Sequence, residues 1–310
     1  MPFCPPVPPT ASRRRFLRWC AASTAGLLVA GIAGVELVAH GEIPGKSVLD
    51  QLDGACDVAG PPLRTRAPGE LVSGSFYSRA RRRDVGYSVG YPTGHARGSE
   101  LPLVVMLHGE GANHRGALAG MTPAEAVSLV VEGAPVPPMA MVTVDGGRGY
   151  WHPHRRDDPM GMVVDELIPM LQRWGLGREP HRVATMGISM GGYGALLFAE
   201  LHPELFAAVA AISPAVWTSY AQAAAVNPLA YDSAAQFARY DAVTNAPRLA
   251  HVPVRIAAGF ADPFYPGVVA LGRRLGPDAS MVLADGCHTG PFFEAQEPPS
   301  VAFLARHVDN

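Results

Sequence analysis

Residues 187–191 read Gly-Ile-Ser-Met-Gly, a G-x-S-x-G pattern centred on Ser189. The two glycines allow a sharp strand-to-helix turn without a Cβ clash, and the serine then projects at the helix N-terminus. Unpaired N–H groups and the helix dipole favour an oxyanion at that position. A glycine-rich turn without catalytic function produces the same letters, so the flanking elements must support the assignment. With a buried strand before it and a helix after it, Ser189 is the candidate nucleophile.

A serine nucleophile needs a neighbouring base, and the candidate base is His288. His288 follows the last predicted strand, whereas the competing His251 precedes a strand and belongs to the wrong end of the sheet. Asp262 follows the preceding strand and is the candidate acid that orients His288; the order Ser, Asp, His is that of nucleophile-elbow enzymes. Asp285 is the alternative acid, but it shares a short loop with His288. The non-catalytic interpretations are a surface histidine and a helix-capping aspartate.

The run His-Gly-Glu-Gly at residues 108–111 follows the first fully buried strand. Turns of this type supply a backbone N–H that completes an oxyanion hole with the amide following the nucleophile. The predicted donors are the amides of Glu110 and Met190, with Gly111 as the alternative to Glu110. The His108 side chain is interpreted as a structural group that holds the loop.

Three further side chains near these positions are candidates for the lining of a substrate pocket: His108, Trp151 and Phe292. Core packing is the alternative for the aromatic residues. The group His152, His154, Asp157 and Asp158 superficially resembles a metal cluster. The proline between the histidines and the neighbouring arginines favour a solvated loop instead, so no metal is predicted. The chain also has no phosphate-binding loop and no dinucleotide fingerprint, so no cofactor is predicted.

The elements that must position these residues are alternating strands and helices, which predict an α/β fold with a mostly parallel sheet covered on both faces. In such a sheet the ligand site lies beyond the carboxyl ends of the strands. The predicted strands are Glu70–Ser78, Asp84–Tyr91, Leu101–His108, Met139–Val144, His181–Met186, Phe206–Ile212, Val252–Ala258 and Ser280–Ala284. The predicted helices are Pro159–Trp174, Gly191–Leu201, Gly267–Leu275 and Val301–Val308. The segment Val216–Asn245 is expected to lie over the site as a small cap.

The N-terminus, residues 1–39, is predicted to be an export signal or a single membrane anchor. The run Ser12–Arg18 (SRRRFLR) closely resembles a twin-arginine signal, and the apolar stretch from Trp19 to Val38 follows it. Residues 40–67 are predicted to be a linker or N-terminal arm, and residues 68–310 the catalytic domain. The expected location of that domain is extracellular, periplasmic or in the cell envelope, and the export machinery is the implied partner.

Two cysteines lie outside the signal region, Cys56 and Cys287. An exported protein with two such cysteines can form one disulfide, which would tie the N-terminal arm to the histidine loop. Two unpaired thiols are the alternative.

The composition limits the classes of protein to which the chain can belong. Its 310 residues are 48% hydrophobic and 17% charged, with a net charge of −2. These values exclude a disordered chain and argue against a nucleic-acid partner, because no excess of positive charge is available to neutralise phosphates. They are compatible with an enzyme that acts on uncharged or lipid-like esters.

The sequence resembles the esterase branch of the α/β-hydrolases, which includes esterase D-like enzymes, feruloyl esterases and secreted mycolyltransferases. The resemblance rests on GISMGGYG at 187–194, the His-Gly turn, residues 259–262 and residues 286–288, and it covers roughly Leu71 to Val308. It implies an α/β-hydrolase fold and carboxylic-ester chemistry through an acyl-enzyme. The mycolyltransferases are similar but carry Glu as the acid where this chain has Asp262, which favours hydrolysis over transfer.

Three functions follow as expectations. The first is an exported serine esterase, in which Ser189, His288 and Asp262 form the triad and water accepts the acyl group. The second is a cell-envelope acyltransferase with the same triad, in which a sugar hydroxyl replaces water. The third is an envelope binding protein on an inactive hydrolase scaffold, against which the complete set of triad residues argues. The predicted partner is a small-molecule, lipid or sugar ester.

Overall fold

The computed structural model describes Cys56, Val58, Gly60, residues 62–179 and residues 182–308. All of these fall within one contact unit, Ala55–Asn310. The predicted signal at residues 1–39 lies outside the described residues. Within the described residues no helix is both long enough and apolar enough to cross a membrane.

A central sheet of eight strands organises the fold, and a separate two-stranded hairpin lies beside it. The strands are β1 Leu71–Ser78, β2 Arg83–Gly90, β3 Leu103–Leu107, β4 Val130–Val131, β5 Ala134–Pro135, β6 Ala140–Val144, β7 Val183–Ile188, β8 Phe206–Ile212, β9 Val254–Gly259 and β10 Ser280–Ala284. The order in the large sheet is β1-β2-β6-β3-β7-β8-β9-β10. β2 pairs antiparallel with β1 and β6, and the other neighbours pair in parallel, which confirms the predicted mostly parallel sheet.

Helices connect the strands and cover both faces of the sheet. They are α1 Pro123–Ala126, α2 Pro159–Gly161, α3 Ile168–Gln172, α4 Met190–Leu201, α5 Tyr220–Val226, α6 Ala234–Arg239, α7 Ala242–Asn245, α8 Tyr265–Leu275 and α9 Gly290–Val308, with a π-helix at Met162–Leu167 and a 3-10 helix at Ala246–Leu249. The sequence pattern placed the last helix at Val301–Val308, but α9 begins at Gly290. The helix contains Pro298 and Pro299, and its first half buries Phe292 and Glu297.

The strand β3 shows how the sheet separates two cores. Its five residues are all fully buried, and the side chains of a strand alternate between its faces. Leu103, Val105 and Leu107 belong to the cluster beneath α4, whereas Val104 and Met106 belong to the cluster that contains α9. This double burial explains the continuous apolar run in the sequence.

The segment Val216–Asn245 contains the three short helices α5, α6 and α7 and is held by the loop that follows β6. The ring of His152 stacks on those of Tyr231 and Tyr240, and its Nε2–H donates to the carbonyl of Ala230 at 2.7 Å. Burial lowers the pKa of His152 to about 4. His154 reaches the same segment through its Nδ1, which is 2.9 Å from the Asp232 carboxylate. These histidines therefore anchor the segment. No group of metal-ligating side chains that could hold an ion occurs among the described residues.

Candidate active site

The nucleophile position lies at the carboxyl end of β7, where Ser189 joins the strand to α4. Its backbone has φ 56° and ψ −119°, a conformation that non-glycine residues seldom adopt. Hydrogen bonds from the neighbouring strand end hold it: the Ser189 N–H donates to the Ile212 carbonyl, and the Ser189 carbonyl accepts from the Ala215 N–H, both at 2.9 Å. Such strain persists where the surrounding structure imposes it, and it is typical of functional turns.

The two glycines of the turn are required by close packing of the backbone. A Cβ on Gly187 would lie 2.2 Å from the backbone of Gly191, and a Cβ on Gly191 would lie 1.9 Å from the carbonyl oxygen of Leu107. The turn therefore packs directly against the end of β3. This is the physical reason for the G-x-S-x-G pattern.

A chain of hydrogen bonds joins the three residues that the sequence selected. His288 Nε2 lies 2.8 Å from Ser189 Oγ, and His288 Nδ1 lies 2.9 Å from Asp262 Oδ2. Because the carboxylate only accepts, Nδ1 carries a proton and Nε2 is free to accept from the serine hydroxyl. The arrangement has the geometry of an activated nucleophile, a base and the group that orients the base.

Both carboxylate oxygens of Asp262 accept hydrogen bonds. Its side chain is fully buried, and Oδ1 accepts from the backbone N–H of Phe264 at 2.8 Å while Oδ2 faces His288. The alternative acid Asp285 is exposed, and the alternative base His251 precedes β9 at the opposite end of the sheet. The structure thus brings together Ser189, His288 and Asp262 and leaves both alternatives outside.

The loop after β3 lies beside the nucleophile. A Cβ on Gly109 would be 3.6 Å from the Ser189 Cβ. His108 fixes this loop, since its Nε2 accepts from the Gly146 N–H at 2.9 Å and its Nδ1–H donates to its neighbour's carbonyl at 2.7 Å. Burial lowers the pKa of His108, so the ring stays neutral in this role. The backbone of Glu110, a predicted oxyanion donor, continues directly from this fixed point.

The three predicted pocket-lining side chains are in the interior. His108, Trp151 and Phe292 are each 0% exposed, so they offer no surface to a substrate, and the expectation is wrong for them. Trp151 fills the space above Gly146 and Gly194, and its Nε1–H donates to the His108 carbonyl at 3.2 Å. Phe292 packs against Gly286 within the core. Both support the loops of the site from behind.

Aromatic residues other than the three candidate lining residues surround His288. The rings of Phe264 and Phe293 both lie 5.1 Å from the imidazole, measured between centroids. Trp217 packs on Phe264 at 4.8 Å, and its Nε1–H donates to the Tyr150 hydroxyl at 3.1 Å. The sequence signal that identifies Phe264 as a neighbour of the site is its position, two residues after Asp262. Phe293 differs from the predicted Phe292 by one residue, which turns the side chain by about 100° on a helix.

A disulfide lies directly beside the histidine. The structure joins Cys56 and Cys287, with their Cα atoms 4.9 Å apart. Val58, two residues further along the arm, approaches the backbone at Gly286. The N-terminal arm is thereby attached to the histidine loop.

The fold and the site together define the class of protein: an α/β-hydrolase in which a serine, a histidine and an aspartate converge at the strand ends. The family model described as "Esterase: Putative esterase" matches residues 78–266, more than half of the chain. The chain belongs to this esterase family. The matched region contains Ser189 and Asp262, and His288 lies beyond it.

Solved structures of this fold include several hydrolases. An S-formylglutathione hydrolase from Agrobacterium tumefaciens is 19% identical with a TM-score of 0.61, over 80% of this chain and 98% of that one. The ferulic acid esterase AmCE1/Fae1A of Anaeromyces mucronatus, solved with ferulic acid, is 14% identical with a TM-score of 0.59, over 78% and 93%. MPT51 (FbpC1) of Mycobacterium tuberculosis is 14% identical with a TM-score of 0.57, over 80% and 99%. At these identities the likeness establishes the fold. A search of curated proteins found no match.

Proposed function

We propose that the protein is an exported serine esterase that hydrolyses carboxylic esters through an acyl-enzyme on Ser189. The observation that carries the proposal is the hydrogen-bonded chain from Ser189 through His288 to the buried Asp262, at 2.8 and 2.9 Å. Membership of the esterase family supports the same chemistry.

In the first half of the reaction, Ser189 Oγ attacks the ester carbonyl while His288 Nε2 takes the hydroxyl proton. Asp262 stabilises the imidazolium that forms, and the backbone N–H groups of Glu110 and Met190 stabilise the oxyanion. The imidazolium then gives its proton to the leaving alkoxide, and the alcohol departs. In the second half, His288 takes a proton from the water that attacks the acyl carbonyl. The bond between the acyl carbon and Ser189 Oγ then breaks, the imidazolium returns its proton to Oγ, and the acid departs.

The disulfide supports the export part of the proposal. Bonds of this kind form and persist in oxidising compartments and are rare in the cytosol. Cys56 and Cys287 form such a bond, and the twin-arginine-like run Ser12–Arg18 precedes them in the sequence. A reporter enzyme fused after residue 67 tests the signal. We expect cells to secrete this fusion and to retain it in the cytosol when Arg13 and Arg14 are both changed to lysine. Unchanged secretion of the lysine variant would contradict this route.

Acyl transfer to a hydroxyl compound is the second candidate. Phe264 and Phe293 flank His288, whose side chain is only 22% exposed. Apolar surroundings of this kind can accept an alcohol beside the imidazole in place of water. Hydrolysis remains the main proposal, because water needs no second binding site.

The deciding experiment uses the purified full-length chain with p-nitrophenyl acetate. We expect turnover in the wild type and a loss of at least about 10⁴-fold in Ser189→Ala, the size expected when a triad serine is removed. A fluorophosphonate should label the wild type at Ser189.

The matched control is Ser213→Ala. Ser213 ends the neighbouring strand and also has a positive φ, 45°, but its buried hydroxyl lacks a hydrogen-bond partner within the described structure. This variant should keep its activity. No turnover and no labelling of the wild type would contradict the esterase and favour an inactive scaffold, whereas transfer to added alcohols faster than hydrolysis would favour the acyltransferase.

A further inference from the structure

A cavity of about 300 Å³ lies between α5 and the start of α8. Trp217, Phe264 and Pro266 form much of its wall, and Val226, whose side chain is 70% exposed, forms an apolar edge facing solvent. At Gly267 the two segments meet so closely that a Cβ would lie 2.2 Å from the Val216 carbonyl oxygen. The cavity is therefore closed at one side by backbone contact and open at the other.

A row of rings connects this cavity with the histidine of the site. Trp217 is fixed at one end by its hydrogen bond to Tyr150 and packs on Phe264. Phe264 packs in turn on His288, and its backbone N–H holds Asp262. The same side chain therefore lines the cavity and contacts the base. The cavity is therefore one ring away from His288, on the Phe264 side of the imidazole.

The histidine side is the side of the leaving group. In the mechanism above, His288 Nε2 delivers its proton to the oxygen of the departing alcohol, so that oxygen must lie next to the imidazole. The acyl carbonyl oxygen faces the predicted oxyanion donors, which are the amide of Glu110 in the loop after β3 and the amide of Met190 at the start of α4. A pocket lined by Phe264, whose ring contacts the imidazole, therefore fits the alcohol portion of the ester better than the acyl portion.

The lining indicates the chemistry of this alcohol. Eight of the ten residues around the cavity have apolar side chains or none, and the remaining two, Thr218 and Gln222, bond to each other. Within the described residues none of the lining side chains is charged. A volume of about 300 Å³ is at the lower end for small-molecule pockets. These features suit a compact, uncharged group such as an aryl or short branched alkyl alcohol, and they disfavour a sugar.

We propose that this cavity is the leaving-group pocket of the enzyme and that it selects esters of compact, apolar alcohols. The proposal rests on the proposed esterase function and specifies its substrate class. It assigns Trp217 and Phe264 as specificity-determining residues.

The experiment fills the cavity and changes the two halves of the ester separately. Ala225→Trp places a large side chain on a cavity-lining position of α5, and Ala221→Trp makes the same change at an exposed position of the same helix outside the lining. One substrate series varies the alcohol at constant acetate, from ethyl to 2-naphthyl. The other varies the acyl chain at constant ethyl alcohol, from acetate to octanoate. Binding of free 2-naphthol, measured by calorimetry on the wild type and on Ser189→Ala, gives a readout independent of turnover.

We expect Ala225→Trp to lower kcat/KM for 2-naphthyl acetate at least about tenfold relative to ethyl acetate, a size typical for apolar pocket contacts. It should also remove 2-naphthol binding, and Ala221→Trp should do neither. An effect confined to the acyl series, or no effect on either series, would overturn the proposal. The wild type could hydrolyse no ester and still bind 2-naphthol, with Ala225→Trp abolishing that binding. The esterase proposal would then be wrong, and the assignment of the cavity as a binding site for apolar alcohols would be supported. Absence of both hydrolysis and binding overturns both.

Discussion

The nucleophile turn and the histidine loop meet at one hydrogen bond, but they are built in opposite ways. Ser189 is positioned by the backbone around it, through the tight contacts of Gly187 and Gly191 with adjacent turns and strands. His288 lies 99 residues further along the chain. Its loop makes a backbone contact as well, since the Gly286 carbonyl accepts from the Ala261 N–H at 3.0 Å, but the imidazole itself is held by side chains. These are the carboxylate of Asp262, the flanking aromatic rings and the disulfide to Cys56.

This difference indicates which substitutions each of the two regions should tolerate. A turn held by backbone contacts tolerates no added atom, because its neighbours cannot move aside. A loop held by several side chains can lose one of these contacts and keep the others. A single substitution there should therefore lower turnover only in part. The predictions below test this contrast, in order of their expected effect on turnover.

The largest effect is expected for Asp262→Asn. Oδ2 accepts from His288 and Oδ1 accepts from the Phe264 N–H, so an amide must present its NH₂ to one of two donors. If the NH₂ faces the imidazole, the proton moves to Nε2, which can no longer accept from Ser189. Turnover should fall about 10⁴-fold, the cost known for this change in serine proteases. Steady-state kinetics with p-nitrophenyl acetate measures it.

The control for this prediction is the folding of the variant. Asn and Asp have nearly the same shape, so the melting temperature should drop much less than turnover implies. Retention of more than about a tenth of wild-type turnover would contradict the orienting role of Asp262.

The second prediction concerns the nucleophile turn. Gly191→Ala places a Cβ 1.9 Å from the Leu107 carbonyl oxygen, and neither backbone can retreat without displacing β3 or α4. We expect turnover to fall about 100-fold through misplacement of Ser189. The free energy of unfolding should fall by about 3 kcal/mol or more through strain. Gly116→Ala, with open space at the Cβ position, is the control and should change neither. A neutral Gly191→Ala would show that the backbone adapts.

The third prediction removes one support of the histidine loop. Cys56→Ser breaks the disulfide and leaves the sequence beside His288 unchanged. Stability should fall by about 3 kcal/mol, since a cross-link restricts the unfolded chain, while turnover at low temperature should fall only several-fold. Denaturant titration and kinetics measure the two effects, and reduction of the wild type by a thiol should reproduce both. A complete loss of turnover at a temperature where the variant is folded would contradict the view that several independent contacts position His288.

The same contrast explains what the sequence predicts and what it does not. The nucleophile turn is predictable from the sequence because its constraints are local. The parallel pairing of β7, β8 and β9 is predictable because strands and helices alternate there. The aromatic surroundings of His288 are not predictable from the sequence alone. Phe264 and Phe293, which contact the imidazole, and Trp217, which packs on Phe264, come from three separate segments. The start of α9 differs from the expectation because Pro298 and Pro299, which usually end or kink a helix, lie inside this one.

The last prediction, with the smallest effect on turnover, concerns Glu297 in α9, the helix that continues from the histidine loop. Its side chain is 0% exposed; Oε1 accepts from the Ala119 N–H at 2.6 Å, and Oε2 has no partner within the described structure. Burial raises the pKa of Glu297 to about 8, above its usual value of 4.5. Between these pH values the folded state holds a proton that the unfolded chain releases. Its contribution to stability is therefore complete below about pH 4.5 and is lost as pH rises towards 8.

Glu297→Gln keeps the acceptor for Ala119 and removes the titration. The melting temperature of the wild type should fall from pH 5 to pH 8 more steeply than that of this variant, while turnover of the two at pH 7 stays equal. Glu179→Gln, at an exposed side chain, is the control and should leave the wild-type slope unchanged. Parallel slopes for wild type and Glu297→Gln would mean that water reaches the carboxylate. Equal turnover would show that the histidine loop keeps its geometry when the titratable group in α9 is replaced, as expected for a loop with several independent supports.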